Sequence, residues 1–226
     1  MTPPIEDILG HHFVRPGLLR EALTHRSAAP AQRRGRHGAG SNERLEFIGD
    51  RVLGLLMAEW LVERYPAEQE GDLGRRLAHL VSQPVLAAVA DAIGLETALA
   101  VSPGEARAGV KKRATVQADA LEAALGALFL DGGLEPARGF VRRAWLDAIE
   151  AQTAPPKDPK TCLQEWALAR GFDLPTYTVV SRSGPPHAPA FTINAGAGGQ
   201  SGTGSAGSKR AAEQIAAEAL LRTLRR

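Results

Sequence analysis

Five carboxylates in two short segments carry the residue types and spacing most suited to chemistry. In Asn42-Glu43-Arg44-Leu45-Glu46-Phe47-Ile48-Gly49-Asp50 the acids recur at intervals of three and four. At 100° per residue, Glu43, Glu46 and Asp50 fall within about 60° of one another on one helix face. Leu45, Ile48, Val52 and Leu56 occupy the other side. A second pair, Asp119 and Glu122, stands at i, i+3 in QADALEAALGALFL, a segment otherwise built of Ala and Leu, with Gly126 one turn further along the same face. Two helices packed through these faces would converge five oxygen-bearing side chains. Such a cluster repels itself unless protons or cations neutralise it. Carboxylates without Cys or His suit the hard ions Mg²⁺ or Mn²⁺ better than zinc. Ions on such a platform activate water and stabilise the leaving oxygen of a phosphodiester. Spacing alone leaves a blander reading open, in which Glu43 and Glu46 form a solvated face paired with Arg44 and Arg51 and the second pair is ordinary surface. A di-iron carboxylate bundle is excluded because it needs Glu-x-x-His pairs, and none of the six histidines has a Glu three residues before it.

The elements that must position these acids read as helix after helix over residues 1–150. Apolar residues recur at three and four through Ile8–Phe13, Leu18–Leu23 and the long run Leu45–Leu61, then at about 73–80, 83–92, 115–130 and 135–150. Breaks fall at Pro66, Gly71, Gly94, Pro103-Gly104 and Gly132-Gly133. Residues 151–158 open AQTAPPKDP, which lacks periodicity and reads as a linker. The remainder, 159–226, changes pattern. A helix at Lys160–Arg170 precedes strands at Thr176–Ser181 and Ala190–Asn194 and a weak Gly-rich third at Gly199–Gly204. A closing helix over Ser208–Leu224 follows, with Ser208 as its N-cap. The tract 195–208 reads as low-complexity and loop-rich. An all-α domain followed by a small α-β-β-β-α domain is expected.

Composition narrows the class. With 44% hydrophobic and 23% charged residues the chain is globular rather than disordered. The single cysteine, Cys162, leaves no intramolecular disulfide or Cys-based zinc site and suits a reducing compartment. No secretory signal and no membrane-spanning apolar run are read, so a cytoplasmic protein is expected. Residues 151–226 carry a net +4 and residues 1–150 a net −2, as though the tail engaged a polyanion.

Thr24-His25-Arg26-Ser27, then NERLEFIGDRVL from Asn42, closely resemble the signature of the ribonuclease III family. EGDL at 70–73, PGE at 103–105 and DALEA from Asp119 follow in that family's order, and DPKTCLQEW opens a segment similar to its double-stranded RNA-binding domain. The resemblance spans nearly the whole chain. It implies a homodimeric, Mg²⁺-dependent endoribonuclease that cuts double-stranded RNA to 5′-phosphate and 3′-hydroxyl ends and processes ribosomal precursors and structured messenger RNA. It implies metal ligation by Glu46, Asp50, Asp119 and Glu122, a catalytic role for Asp50 and Glu122, Glu43 near substrate or ion, and Phe47 in the dimer contact. In the tail it implies RNA contacts by Gln164 and Glu165, by His187 in the loop from Gly184, and by Lys209 and Arg210. Such contacts read duplex shape through 2′-hydroxyls and phosphates.

The chain departs from the family pattern in places. Residues 29–41 are long and carry Arg33, Arg34 and Arg36. Leu77 stands where the family's Ser-x-x-Arg element has Arg, Ala114 where an acid is common, and Ala211 shortens the tail's basic triplet. The alternative kept beside the enzyme is a non-cleaving double-stranded RNA-binding protein that holds or remodels RNA. A processing factor addressed to one RNA by its Arg-rich insert is the third.

Overall fold

A computed structural model describes residues 5–29, 40–156, 158–185 and 189–224. The chain divides into two compact units, Met1–Pro156 and Lys157–Arg226. The first unit is helical throughout its described residues: α1 (Ile5–Leu9), α2 (Pro16–Ala22), α3 (Glu43–Arg64), α4 (Glu70–Leu80), α5 (Gln83–Ala92), α6 (Pro103–Arg107), α7 (Ala114–Gly132), α8 (Leu134–Ala144) and α9 (Leu146–Glu150). The second runs α10 (Pro159–Leu168), β1 (Thr176–Ser183), β2 (Ala190–Ala197), β3 (Gln200–Ala206) and α11 (Lys209–Leu224).

The long helix α3 buries Leu45, Val52, Leu53, Leu56, Met57, Trp60 and Leu61 along one stripe. Each large apolar side chain so buried contributes about 1.5–3 kcal/mol. The helix ends at Tyr65 because Pro66 disfavours helical geometry in the residue before it. Helix α7 is buried on nearly all sides, Val116 to Leu128 contributing eleven buried residues, and stops at Gly133 with φ +81°. A helix this apolar belongs at the centre of its domain, and α3 is its principal neighbour.

The two helices meet through glycine. A Cβ on Gly49 would overlap the Glu122 carbonyl oxygen, and one on Gly126 would overlap the Leu45 carbonyl oxygen. Backbone lies against backbone at this crossing, which is why two helix-weakening glycines are kept there.

Three local features differ from the sequence expectation. The stretch 135–150 is broken at Trp145, whose buried indole N–H donates to the Leu80 carbonyl at 3.0 Å. The displaced arginine of the fourth helix is Arg76, only 1% exposed. It donates to both Glu68 carboxylate oxygens (2.7 and 2.6 Å) and to the Gln152 carbonyl (2.7 Å), and lies 3.7 Å over the Tyr65 ring. Leu77 beside it packs on the apolar core instead. Gln152 is itself buried, so the segment's first residues pack with the helical unit.

In the second unit β1, β2 and β3 form an antiparallel sheet in that order, with a bulge between Val179 and Ser181. Ile193, Ala195 and Ala197 alternate inward towards α10 and α11. The Gly-rich third strand expected at Gly199–Gly204 is β3, and the rest of the tract 195–208, expected to be loop-rich, is also mostly strand, paired residue by residue from Phe191–Ala206 to Ala197–Gln200. Its glycines answer to packing: a Cβ on Gly202 would lie 2.5 Å from the Leu220 amide nitrogen, and one on Gly204 would overlap the backbone of α11. Asp158 caps α10 by accepting from the Lys160 and Thr161 amides (2.9 and 3.2 Å), and the Ser208 hydroxyl caps α11 by accepting from the Ala211 amide at 3.2 Å.

Gly49→Ala and Gly126→Ala should each cost about 3 kcal/mol of unfolding free energy, because the obstacle is backbone rather than a movable side chain. Gly54→Ala, where no atom lies within 4 Å, should instead raise stability by up to about 1 kcal/mol. Urea titrations of the three variants separate the two situations.

Candidate metal centre

The crossing of α3 and α7 brings Glu46, Asp119 and Glu122 together. One carboxylate oxygen from each lies within 4.8 Å of the others, and all three side chains are half-buried. None has a Lys or Arg ion-pair partner among the described residues. Burial, then the charges of Glu46 and Asp119, push the Glu122 carboxyl up to about 7 against the opposing pull of Arg51. Burial raises Glu46 too, followed by Asp119 and Glu43, and burial raises Asp119, moderated by His25 and Arg26. The direction is the same for all three: the site holds negative charge at a cost and would release that cost to a cation.

Asp50 is one turn beyond Glu46, but its carboxylate bonds the guanidinium of its neighbour Arg51 and is not one of the three clustered groups. Glu43 is exposed at the mouth of the site and lies 3.3 Å from the Ser41 hydroxyl. An open cleft of about 460 Å³ adjoins the cluster, lined by Glu43, Glu46, Glu105 and Asp119 together with His25, Arg26 and Arg113.

The basic side of this cleft is built by two of the motifs seen in the sequence. Thr24 pairs with Ala100 in a short parallel bridge, His25 donates its amide to the Ala100 carbonyl at 3.0 Å, and the Asn42 amide donates to the Thr24 carbonyl at 3.0 Å. His25 Nδ1 lies 2.9 Å from the Ser27 hydroxyl and 3.1 Å from Glu105, while Ser102 donates its amide to Ser27 Oγ at 3.0 Å. His25, Arg26, Glu105 and Arg113 therefore belong to the site's surroundings. Residue periodicity gives no sign of this, since they lie in loops, at the N-terminal flank of α7 and on the short α6. Only the motif strings THRS and PGE mark three of them.

The other residues singled out in the sequence are not members of the cluster. Phe47 is 64% exposed, with the Arg51 guanidinium 4.9 Å over its ring, and Leu55 and Val62 are exposed further along the same helix. Gln164 and Glu165 are exposed on α10, and Lys209 and Arg210 are exposed at the start of α11. His187 lies outside the described residues, as do residues 30–39 of the Arg-rich insert. Ala114 and Ala211 are exposed in the first turns of their helices.

Residues 15–149 match the family described as Ribonuclease-III-like, and residues 159–224 match the double-stranded RNA binding motif. The chain is 46% identical to Ribonuclease 3 of Dinoroseobacter shibae, over 95% of this chain and 92% of that one. It is 44% identical to Ribonuclease 3 of Rhodopseudomonas palustris, over 96% of this chain and 79% of that one. Among solved structures, the nuclease domain of ribonuclease III from Campylobacter jejuni, described for flexibility in a region involved in dimer formation, superposes with a TM-score of 0.57 at 34% identity. That match covers 66% of this chain and 96% of the other.

The raised Glu122 carboxyl binds its proton more tightly folded than unfolded. Its contribution to stability is therefore full below about pH 4.5 and is lost as the pH rises to about 7. In a chelator, Glu122→Gln should match the wild type in urea midpoint at pH 5 and exceed it at pH 8. Mg²⁺ should stabilise the wild type at pH 8 by more than it stabilises the variant. A constant gap between the two proteins across this range would contradict the assignment.

Proposed function

The chain belongs to the ribonuclease III family, and from that premise we propose that it is a metal-dependent endoribonuclease specific for double-stranded RNA. The observation that supports cleavage over mere RNA holding is the half-buried triad of Glu46, Asp119 and Glu122, which lacks a Lys or Arg partner among the described residues. A binding protein gains nothing from carboxylates kept at this electrostatic cost.

Glu46, Asp119 and Glu122 are the residues that would hold the ion, with Asp50 next on the same helix face. Oxygen donors alone favour Mg²⁺, with Mn²⁺ as a substitute. When bound, the ion supplies a more acidic water and positive charge at the phosphodiester's developing oxygens. The chain's own groups do the rest. Glu122 gives up its proton to complete the site at neutral pH. Arg26 and Arg113 offer the cleft's positive charge to a phosphate, while Glu43 marks its mouth. The products carry 5′-phosphate and 3′-hydroxyl ends.

The second unit supplies duplex recognition. Gln164 and Glu165 on α10 are placed to meet 2′-hydroxyls in a minor groove, and Lys209 and Arg210 on α11 to meet phosphates; the loop bearing His187 supplies a further contact. Two copies of the chain, associating through the face of α3 that exposes Phe47, give one catalytic cluster per RNA strand. Among the described residues no helix is long and apolar enough to cross a membrane. We place the enzyme in the cytoplasm, acting on ribosomal precursors and structured messenger RNA.

Glu122→Gln should retain duplex binding and lose cleavage by at least about a thousandfold, the scale of removing a group on which the reacting charge depends. End-labelled duplex RNA, incubated with Mg²⁺ or Ca²⁺ beside a single-stranded control and read on a denaturing gel, tests this. Discrete 5′-phosphorylated products are expected only from the wild type with duplex and Mg²⁺. Near-normal turnover by the variant would remove Glu122 from the mechanism, and binding without cleavage by the wild type would favour the RNA-holding reading.

A further inference from the structure

One charged network in the second unit takes in the RNA-contact residue Lys209 and joins the elements that carry two sets of such residues. Lys160, at the start of α10, donates from Nζ to Glu213 Oε2 on α11 at 2.6 Å. The same ammonium sits 4.6 Å from the centre of the Tyr177 ring on β1. The second Glu213 oxygen lies 3.9 Å from Lys209 Nζ. One residue on, the Gln214 amide donates to Asp158, whose other oxygen caps α10. Exposure orders these contacts: the Glu213 side chain is 15% exposed, Lys160 34% and Lys209 60%. The inter-helix bond is therefore the sheltered one, and the Lys209 ammonium stays open to solvent. Tyr177 belongs to the same sheltered node, with burial, then the nearby charges of Glu213 and Asp158, pushing its hydroxyl up to about 12.

Helix electrostatics make the arrangement informative. A lysine at a helix N-terminus is opposed by the macrodipole, and Lys followed by Glu at i+4 is the less favourable order of that pair. An acid beside a phosphate-binding lysine also repels RNA. Glu213 therefore stands against simple electrostatic interest unless it does something else.

We propose that Glu213 is a positioning residue for duplex RNA binding: by bonding Lys160 across the two helices while its other oxygen lies 3.9 Å from Lys209, it fixes the separation between the contact surfaces of α10 and α11. This rests on the duplex-RNA reading of the second unit. A rigid duplex presents minor groove and phosphates at fixed spacing, so affinity depends on how firmly the protein holds its matching spacing.

The test is anisotropy binding of the full chain to labelled duplex RNA in Ca²⁺ over a series of salt concentrations, with the variants Glu213→Gln, Glu213→Asp and Lys209→Ala. Electrostatics alone predicts that Glu213→Gln binds more tightly and Glu213→Asp equally. Positioning predicts that both bind about two- to fivefold more weakly, the upper range for a partly exposed charged pair. It also predicts that both flatten the salt dependence towards that of Lys209→Ala, which a general loss of stability would not do. Glu213→Asp keeps the charge and leaves the Asp158 cap in place. Wild-type affinity in that variant overturns the inference even where Glu213→Gln is destabilised. Equal or tighter binding by Glu213→Gln overturns it as well. Failure of the wild type to prefer duplex over single-stranded RNA overturns the reading of the unit, and this inference with it.

Discussion

The backbone contact between α3 and α7 at Gly49 and Gly126 is the constraint on which the catalytic unit depends. Each glycine faces the other helix's main chain, at Glu122 and at Leu45. Any side chain there would push the helices apart. Glu46 precedes Gly49 by three residues and Glu122 precedes Gly126 by four, so the same close approach that seats the glycines carries the acids into mutual range. Because α7 is also the buried centre of the apolar core, the packing that stabilises the domain and the packing that assembles the carboxylates are one contact. The acids cannot relax away from one another without loosening the core.

That coupling explains why the cluster tolerates its own repulsion. Three half-buried carboxylates with oxygens within 4.8 Å cannot all ionise cheaply. Without a cation the least costly relief is a proton, and Glu122, whose carboxyl is pushed up to about 7, is where it resides. A divalent ion held there would replace that proton with more charge than the site lost. The fold supplies rigidity, so the electrostatic cost is held in place rather than dissipated by side-chain movement.

The carboxylates were legible in the sequence because helical periodicity translates directly into shared faces. What periodicity could not convey was the depth at which Glu46, Asp119 and Glu122 sit, or that Asp50 turns to Arg51. The basic wall of the cleft was hidden for a different reason. His25, Arg26, Glu105 and Arg113 reach it through loops, a helix flank and a short helix, where spacing along the chain carries no direction. Composition misled at the edges of the tract 195–208, where loop was expected on either side of the third strand and β2 and β3 each run further than read. In a strand whose face is covered by a helix backbone, glycine is what contact requires, and Gly202 and Gly204 are strand residues for the same steric reason that Gly49 and Gly126 are helix residues. Arg76 shows how a charged residue takes a buried place: its guanidinium finds Glu68, Tyr65 and the Gln152 carbonyl, and Leu77, which stands where the family pattern has arginine, packs on the apolar core beside it.

The charge asymmetry along the chain takes its meaning from these two environments. Residues 1–150 carry a net −2 with acids concentrated at one cleft, and residues 151–226 carry a net +4. A phosphate approaching Glu43, Glu46 and Asp119 alone would meet repulsion, offset in part by Arg26 and Arg113, which line the same cleft. The part of the chain that matches the double-stranded RNA binding motif is the basic one, so attraction to a polyanion is strongest there. An ion and RNA held together at the cleft would favour one another, since each would lower the electrostatic cost the other meets there. By linkage that favour is mutual: RNA should strengthen ion binding by the same factor by which the ion strengthens RNA binding.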